Sequence, residues 1–230
     1  MLRIHSISET SFSNLTFLLS DRKSKMNLIL LTFNYTDEPF LHEFNTHILN
    51  SIKKLNLDNL EESVLEKNLK EFFVALNWQL FSKFCRLEGN YEKGISLAFI
   101  LSIKHKIYVI EFGRMLSGVL RKNKFEYIGR SWENFHIKTK QELFLFGSRD
   151  EDIHVKIYQT EIDDDSLFIA IPSLVVEDMK SKIDVSNLRR KIRYLYRKQN
   201  FPYVILSTKN FKIIPQEAAL KKAWRRFWKK

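Results

Sequence analysis

The strongest constraint in this sequence is an apolar period that changes twice along the chain. Residues 27–35 read NLILLTFNY, a short continuous apolar run of the kind a strand shows when both its faces are buried. Directly after it the apolar side chains move to a spacing of three and four: Phe40, Leu41, Phe44, Ile48, Leu49, Ile52 and Leu55. Asp37 can cap that helix, and Pro39 is tolerated in its first turn. A second helical stripe runs from Leu60 through Val64, Leu69, Phe73, Leu76 and Leu80 to Phe84. Asp58 and Glu61 stand before it at capping-box spacing, and Gly89 ends it. From Gly94 the pattern returns to strands: 95–103, 107–112, 117–121, 125–128, 154–160 and 166–171. Residues 2–8 and 15–20 add two strands at the start, 175–199 reads as mostly helix, and 201–208 as a last strand.

Strands in runs, interrupted by one pair of helices, exclude regular βαβ alternation and a parallel sheet. The tight link between the two helices makes them antiparallel neighbours. The class expected is therefore α+β with antiparallel sheets.

Composition narrows the function. Cys85 is the one cysteine among 230 residues, so an internal disulfide framework and a cysteine-based zinc site are excluded. No apolar run approaches the roughly 18–20 residues of a membrane span. The opening MLRIHSISET lacks the pattern of a secretory signal, and a reducing, cytoplasmic compartment is expected. Net charge is +11, unevenly placed. Residues 179–230 hold 16 Lys/Arg against two acids, and the 178 residues before them hold 22 against 25. That asymmetry points to an anionic partner for the C-terminal end, or to a solvated helix face.

Enzyme signatures are missing. There is no Gly-rich phosphate loop and no Gly-x-Ser-x-Gly. The six histidines are scattered, and His42 and His47, five apart, do not share a helical face as a metal pair would. Asp163-Asp164-Asp165 lies between two strand segments and reads as an exposed turn.

The order of elements, with a few small-residue positions, resembles the metal-dependent serine/threonine phosphatases of the PPM (type 2C) class over roughly residues 1–208. Gly94-Ile95-Ser96 opens a strand where that family has Gly-Thr-Thr. The hairpin IYVIEFGRML ends in Gly113-Arg114-Met115-Leu116 in place of Gly-Asp-Ser-Arg. DDDSLFIAIPSL, from Asp163 to Leu174, resembles the segment closing in Ser-Asp-Gly-Leu, and QNFPYVIL resembles the final Asp-Asn strand, with Asn200 at the Asp. The resemblance implies a central β-sandwich of two antiparallel sheets flanked by α-helices on both faces. It also implies two metal ions at one end of the sandwich, held by aspartates and waters, that generate the nucleophilic water.

The departures fall on those aspartates. The Asp-Gly position lands on Phe33-Asn34 or Asn34-Tyr35, the Ser-Asp-Gly turn on Ile171-Pro172-Ser173, the Asp-Asn on Asn200-Phe201, and an early acidic segment near Ser13-Asn14-Leu15. None of the four carries a carboxylate, and magnesium or manganese wants several hard anionic oxygens. The expectation is a pseudophosphatase with no cofactor, no metal and no catalytic residue. Phe33, Asn34, Pro172, Ser173 and Asn200 are its degenerate former metal positions, and Phe33, Pro172 and Phe201 pack that end.

Residues 1–210 form the expected phosphatase-like domain and 211–230 a basic aromatic C-terminal helix or juxtamembrane segment. In the latter, Trp224, Phe227 and Trp228 alternate with Lys221, Lys222, Arg225, Arg226, Lys229 and Lys230. That composition suits a membrane interface, a helix docked on the body, or stacking on single-stranded nucleic acid. The expected role is protein binding or regulation, cytoplasmic and placed at the membrane surface through this segment. Nucleic-acid binding and an enzyme of unrelated chemistry stand as alternatives. Residues 129–149, the segment before the penultimate strands, are the expected place for a partner.

Overall fold

The computed structural model describes residues 2–7, 16–21, 25–34, 40–55, 57, 61–85, 94–121, 124–129, 145–148, 153–173, 190 and 201–208. They form two five-stranded antiparallel sheets and two helices, the strands being β1 (Arg3–Ile7), β2 (Thr16–Asp21), β3 (Met26–Phe33), β4 (Ser96–Ile103), β5 (Lys106–Phe112), β6 (Met115–Arg121), β7 (Lys124–Ile128), β8 (Tyr158–Glu161), β9 (Ser166–Pro172) and β10 (Val204–Ser207). One sheet has the order β1-β10-β9-β6-β7 and the other β2-β3-β4-β5-β8. The helices are α1 (Phe40–Lys53) and α2 (Glu62–Leu80), the latter continued by a π-helical turn, Phe81–Cys85.

The continuous apolar run becomes β3, buried at all eight residues. Its two faces serve two cores. Ile29, Leu31 and Phe33 belong to the core shared with the other sheet, where Val119, Phe168, Ile169 and Leu206 also sit. Leu28 and Leu30 face the helices and join Leu41, Phe44, Ile48, Leu65, Leu69, Phe73 and Leu76. Burying a side chain of this size contributes roughly 1.5–3 kcal/mol, which holds the helix pair on the sheet. Phe73 is the hub of that layer, with ring centroids 5.1 Å from Phe99, 5.8 Å from Phe146 and 6.2 Å from Phe112. Polar ties cross the same layer: Thr32 Oγ1 donates to Asn45 Oδ1 at 2.8 Å, and the Gly147 amide donates to Asn77 Oδ1 at 2.8 Å, both buried.

Three details differ from the sequence reading. The segment read as the hairpin IYVIEFGRML is a corner between sheets. β5 pairs with β4 and β8, β6 pairs with β7 and β9, and Gly113-Arg114 carries the chain across. Gly113 has φ +66°, a conformation that lets the chain turn this sharply within two residues. Helix α2 starts at Glu62, with Glu61 at its N-cap making no side-chain capping bond, and Asp58 lies outside the described residues. The strand expected over 154–160 is laddered only at Tyr158–Glu161. Ahead of it Ile153 and Val155 turn their side chains into the helix layer.

Asp163–Asp165 is an exposed turn, as expected, between β8 and β9. Asp163 Oδ1 accepts from the Asp165 amide at 3.3 Å and from Ser166 Oγ, and its carboxylate pairs with Arg121 at 3.6 Å. The expected helix over 175–199, including the outer face it would cover, lies outside the described residues apart from Arg190, which is helical and exposed. The C-terminal segment, residues 211–230, also lies outside them. Among the described residues no helix is long and apolar enough to cross a membrane.

Candidate functional site

Register brings six strand ends to one end of the sandwich. In the first sheet Met115 opposes Pro172 and Ala170 opposes Val204, so the start of β6, the end of β9 and the start of β10 lie together. In the second, Phe33 opposes Ser96 and Leu97 opposes Phe112, which gathers the end of β3, the start of β4 and the end of β5. The two-residue corner at Gly113-Arg114 then places one set of ends beside the other.

Four of the expected positions, Phe33, Asn34, Pro172 and Ser173, arrive at this end. Asn200 and Ser13–Leu15 lie outside the described residues. Phe33 is 5% exposed, Ser173 0% and Phe201 1%, and Phe33 and Phe201 share the inter-sheet core with Met115. The rings of Phe201 and Tyr203 approach to 5.9 Å between centroids.

The polar atoms of these strand ends bond to one another. The Arg114 amide donates to Ser96 Oγ at 3.0 Å, and the Ser173 amide donates to the Arg114 carbonyl at 2.8 Å. Asn34 Nδ2 donates to the Gly94 carbonyl at 3.5 Å. Packing is equally close. A Cβ on Gly113 would come within 2.6 Å of Ser96 Oγ and 2.9 Å of Ser96 Cα, and one on Gly94 within 2.8 Å of Leu145 Cβ.

The half-buried Arg114 is the charged residue among the described positions 33–34, 94–96, 113–115, 172–173 and 201–203. The nearest carboxylate along β5 is Glu111, whose two oxygens are buried under Gly129, where φ is +94° and any Cβ would overlap the carboxylate. Among the described residues no group of three or more His, Cys, Asp or Glu side chains is placed to hold a metal ion. His42, His105 and His154 are exposed and distant in the fold, and His47 Nε2 lies 3.4 Å from Gln79 Oε1.

Two features of this end were missed in the sequence. Glu111 stands in the apolar run IYVIEF on the strand face of Ile107 and Val109, both in the inter-sheet core, and that context is the signal for its burial. Residues 145–148 fall inside the stretch read as variable, yet Ile95 and Phe146 form a bridge through amide–carbonyl bonds of 3.1 and 2.9 Å. Phe146 is fully buried. The apolar run LFLFG at 143–147 is the signal that could have revealed it.

Neither a protein-family model nor a curated protein matches the sequence. Solved structures do match in shape. The serine/threonine phosphatase of S. agalactiae superposes with a TM-score of 0.66 at 9% identity, covering 90% of this chain and 98% of its own. This chain has the fold of the bacterial serine/threonine phosphatases. Stp1 of Staphylococcus aureus gives a TM-score of 0.61 at 10% identity, covering 91% of this chain and 94% of its own. The catalytic domain of the phosphatase PstP, solved in complex with two manganese ions, gives 0.55 at 11% identity, covering 90% and 95%. The shared fold thus spans about nine-tenths of this chain, at an identity of 9–11% to those three structures.

Proposed function

We propose that this chain is a catalytically inactive, phosphatase-like domain that works by binding other molecules. One observation supports the reading above others. At the strand ends where the resemblance places metal-binding aspartates, the side chains are Phe33, Asn34, Pro172 and Ser173, buried or bonded to their neighbours.

That donor set does not fit a pair of divalent ions. Magnesium and manganese are held by several carboxylate oxygens, usually with waters, and each lost carboxylate removes a full negative charge from the shell. Among the described residues this end offers the hydroxyls of Ser96, Ser173 and Tyr203, the first already accepting an amide, the side-chain amide of Asn34 and the positive charge of Arg114, and no carboxylate. Phe33 and Phe201 occupy volume that ions and their waters would need.

The test is direct. The full chain is assayed with p-nitrophenyl phosphate and a phosphothreonine peptide in millimolar manganese and magnesium. Turnover no greater than the blank is expected, and metal-dependent turnover at the rate of an active phosphatase would overturn the reading.

The second part of the proposal concerns place. The aromatic and basic residues of 216–230 support attachment to an anionic membrane surface, each basic residue contributing roughly 1 kcal/mol near such a bilayer. Removing 216–230 is expected to abolish co-sedimentation with phosphatidylserine vesicles, and equal pelleting of both forms contradicts it.

A further inference from the structure

The edge of the second sheet carries a segment that, among the described residues, is held by its side chains alone. Residues 153–157 run straight into β8 but take no part in its ladder with β5, which stops at the pair Val109 and Tyr158. No backbone hydrogen bond to another described residue holds the segment either. Its side chains alternate as a strand's do. Ile153 and Val155, 8% and 5% exposed, are anchored in the helix-layer core, while His154 and Lys156 are exposed.

Backbone amides and carbonyls in a fixed extended conformation are a template for another strand, because each seeks a partner and little further ordering is needed to provide one. Between this segment and α2 lies a groove of about 410 Å³. Val74 contributes to its apolar lining, and Lys70, His154 and Lys156 stand around it.

We propose that residues 153–157 receive an extended acidic segment from a partner protein, by addition of a strand to this sheet edge. Ladder bonds to an extended peptide would supply affinity, and alternate side chains would supply selectivity. Lys156, with His154 on the same side, favours carboxylates at every second position of the incoming strand, while Lys70 on α2 stands at the helix wall of the groove. Cross-strand pairs of opposite charge stabilise and like charges directly opposite destabilise. A second copy of this chain is a poorer occupant. Antiparallel self-pairing centred on Val155 would set Lys156 of each copy opposite His154 of the other, with no acid facing either lysine. A nucleic acid offers phosphates but no amide ladder.

This inference does not rest on the absence of catalysis, and its test uses neither divalent ions nor a phosphate ester. The full chain is titrated against a short fluorescein-labelled peptide of alternating Glu and Val, and against its Lys/Val counterpart, by fluorescence anisotropy. The acidic peptide is expected to bind and the basic one not. The double variant His154→Glu, Lys156→Glu, altered only at exposed positions, is expected to lose about tenfold in affinity for the acidic peptide and to gain the basic one. Hydrogen exchange on the wild-type complex is expected to slow at residues 153–158. Three results overturn the proposal: no acidic-peptide binding, an affinity unchanged in the double variant, or protection confined to other segments. An unchanged affinity is the outcome expected if the basic C-terminal region alone captured the peptide.

Discussion

Replacing Gly113 by alanine puts the closed packing of the strand-end site under direct strain. Two terms add. The backbone there has φ +66°, where an L side chain costs about 1–2 kcal/mol. The new Cβ would stand 2.6 Å from Ser96 Oγ, 2.9 Å from Ser96 Cα and 3.0 Å from Leu145 Cδ2. One of those atoms, Ser96 Cα, is backbone of a strand paired on both sides, so relief requires backbone movement. Overpacking of this kind costs typically about 1–3 kcal/mol. The expected total is about 2–5 kcal/mol. It is read as a drop in the urea midpoint at unchanged slope, with circular dichroism confirming that the variant still folds. Lys104 separates the terms. It has φ +57° in the exposed turn between β4 and β5, so Lys104→Gly reports the backbone term alone and is expected to stabilise by up to about 1 kcal/mol. Ser96→Ala combined with Gly113→Ala removes the closest atom, and the pair is expected to be less destabilising than the sum of the singles by about 0.5–2 kcal/mol. A Gly113→Ala loss below about 0.5 kcal/mol, the range of an ordinary surface substitution, would refute the reasoning and imply an open, hydrated end.

Other expectations follow from single contacts. Asn27, fully buried, accepts from Ser20 Oγ at 2.8 Å and donates to the Leu2 carbonyl at 3.2 Å and Ser102 Oγ at 3.1 Å. Asn27→Leu is therefore expected to cost about 1–3 kcal/mol in urea unfolding and to speed amide exchange in β1, which this bond ties to the second sheet. Phe73→Ala, at the centre of the aromatic layer, is expected to cost about 3–5 kcal/mol by the same assay, the largest loss of the set. Burial, and then the Glu62 carboxylate beside it, push the Tyr108 hydroxyl up from 10.0 to about 12. The folded form thus keeps a proton that the unfolded chain releases first. The stability this shift contributes is fully present below pH 10 and is lost as pH rises from 10 towards 12. Burial also pushes the Tyr127 hydroxyl up, so an ultraviolet absorbance titration should show a late-ionising component that shrinks, without vanishing, in Tyr108→Phe, and a uniform titration near pH 10 contradicts it.

The layers of the fold were legible because periodicity reports burial. The run at 27–35 could only be a strand covered on both sides, and Phe44, Ile48, Phe73 and Leu76 marked which helix faces would cover it. Pairing was less legible. Nothing in IYVIEFGRML distinguishes a hairpin from a corner between sheets, because both need a glycine that tolerates positive φ. Likewise the strand pattern over 154–160 does not reveal that only Tyr158–Glu161 is laddered, because a ladder depends on what lies beside a strand. The geometry of the strand-end positions was not legible: that Phe33, Pro172 and Ser173 lie at one end of the sandwich is a consequence of register across β3, β4, β5, β6 and β9. The buried carboxylate oxygens of Glu111 lie against Gly129, 18 residues further along the chain, a contact no local pattern reveals.

The central claim is that this phosphatase fold has lost its grip on divalent cations. Isothermal titration of the full chain with manganese chloride, followed by the phosphopeptide assay on the same sample, tests it most directly. The expected result is no saturable heat through the millimolar range and no phosphate release above the blank. Stoichiometric binding of two ions accompanied by turnover would contradict it.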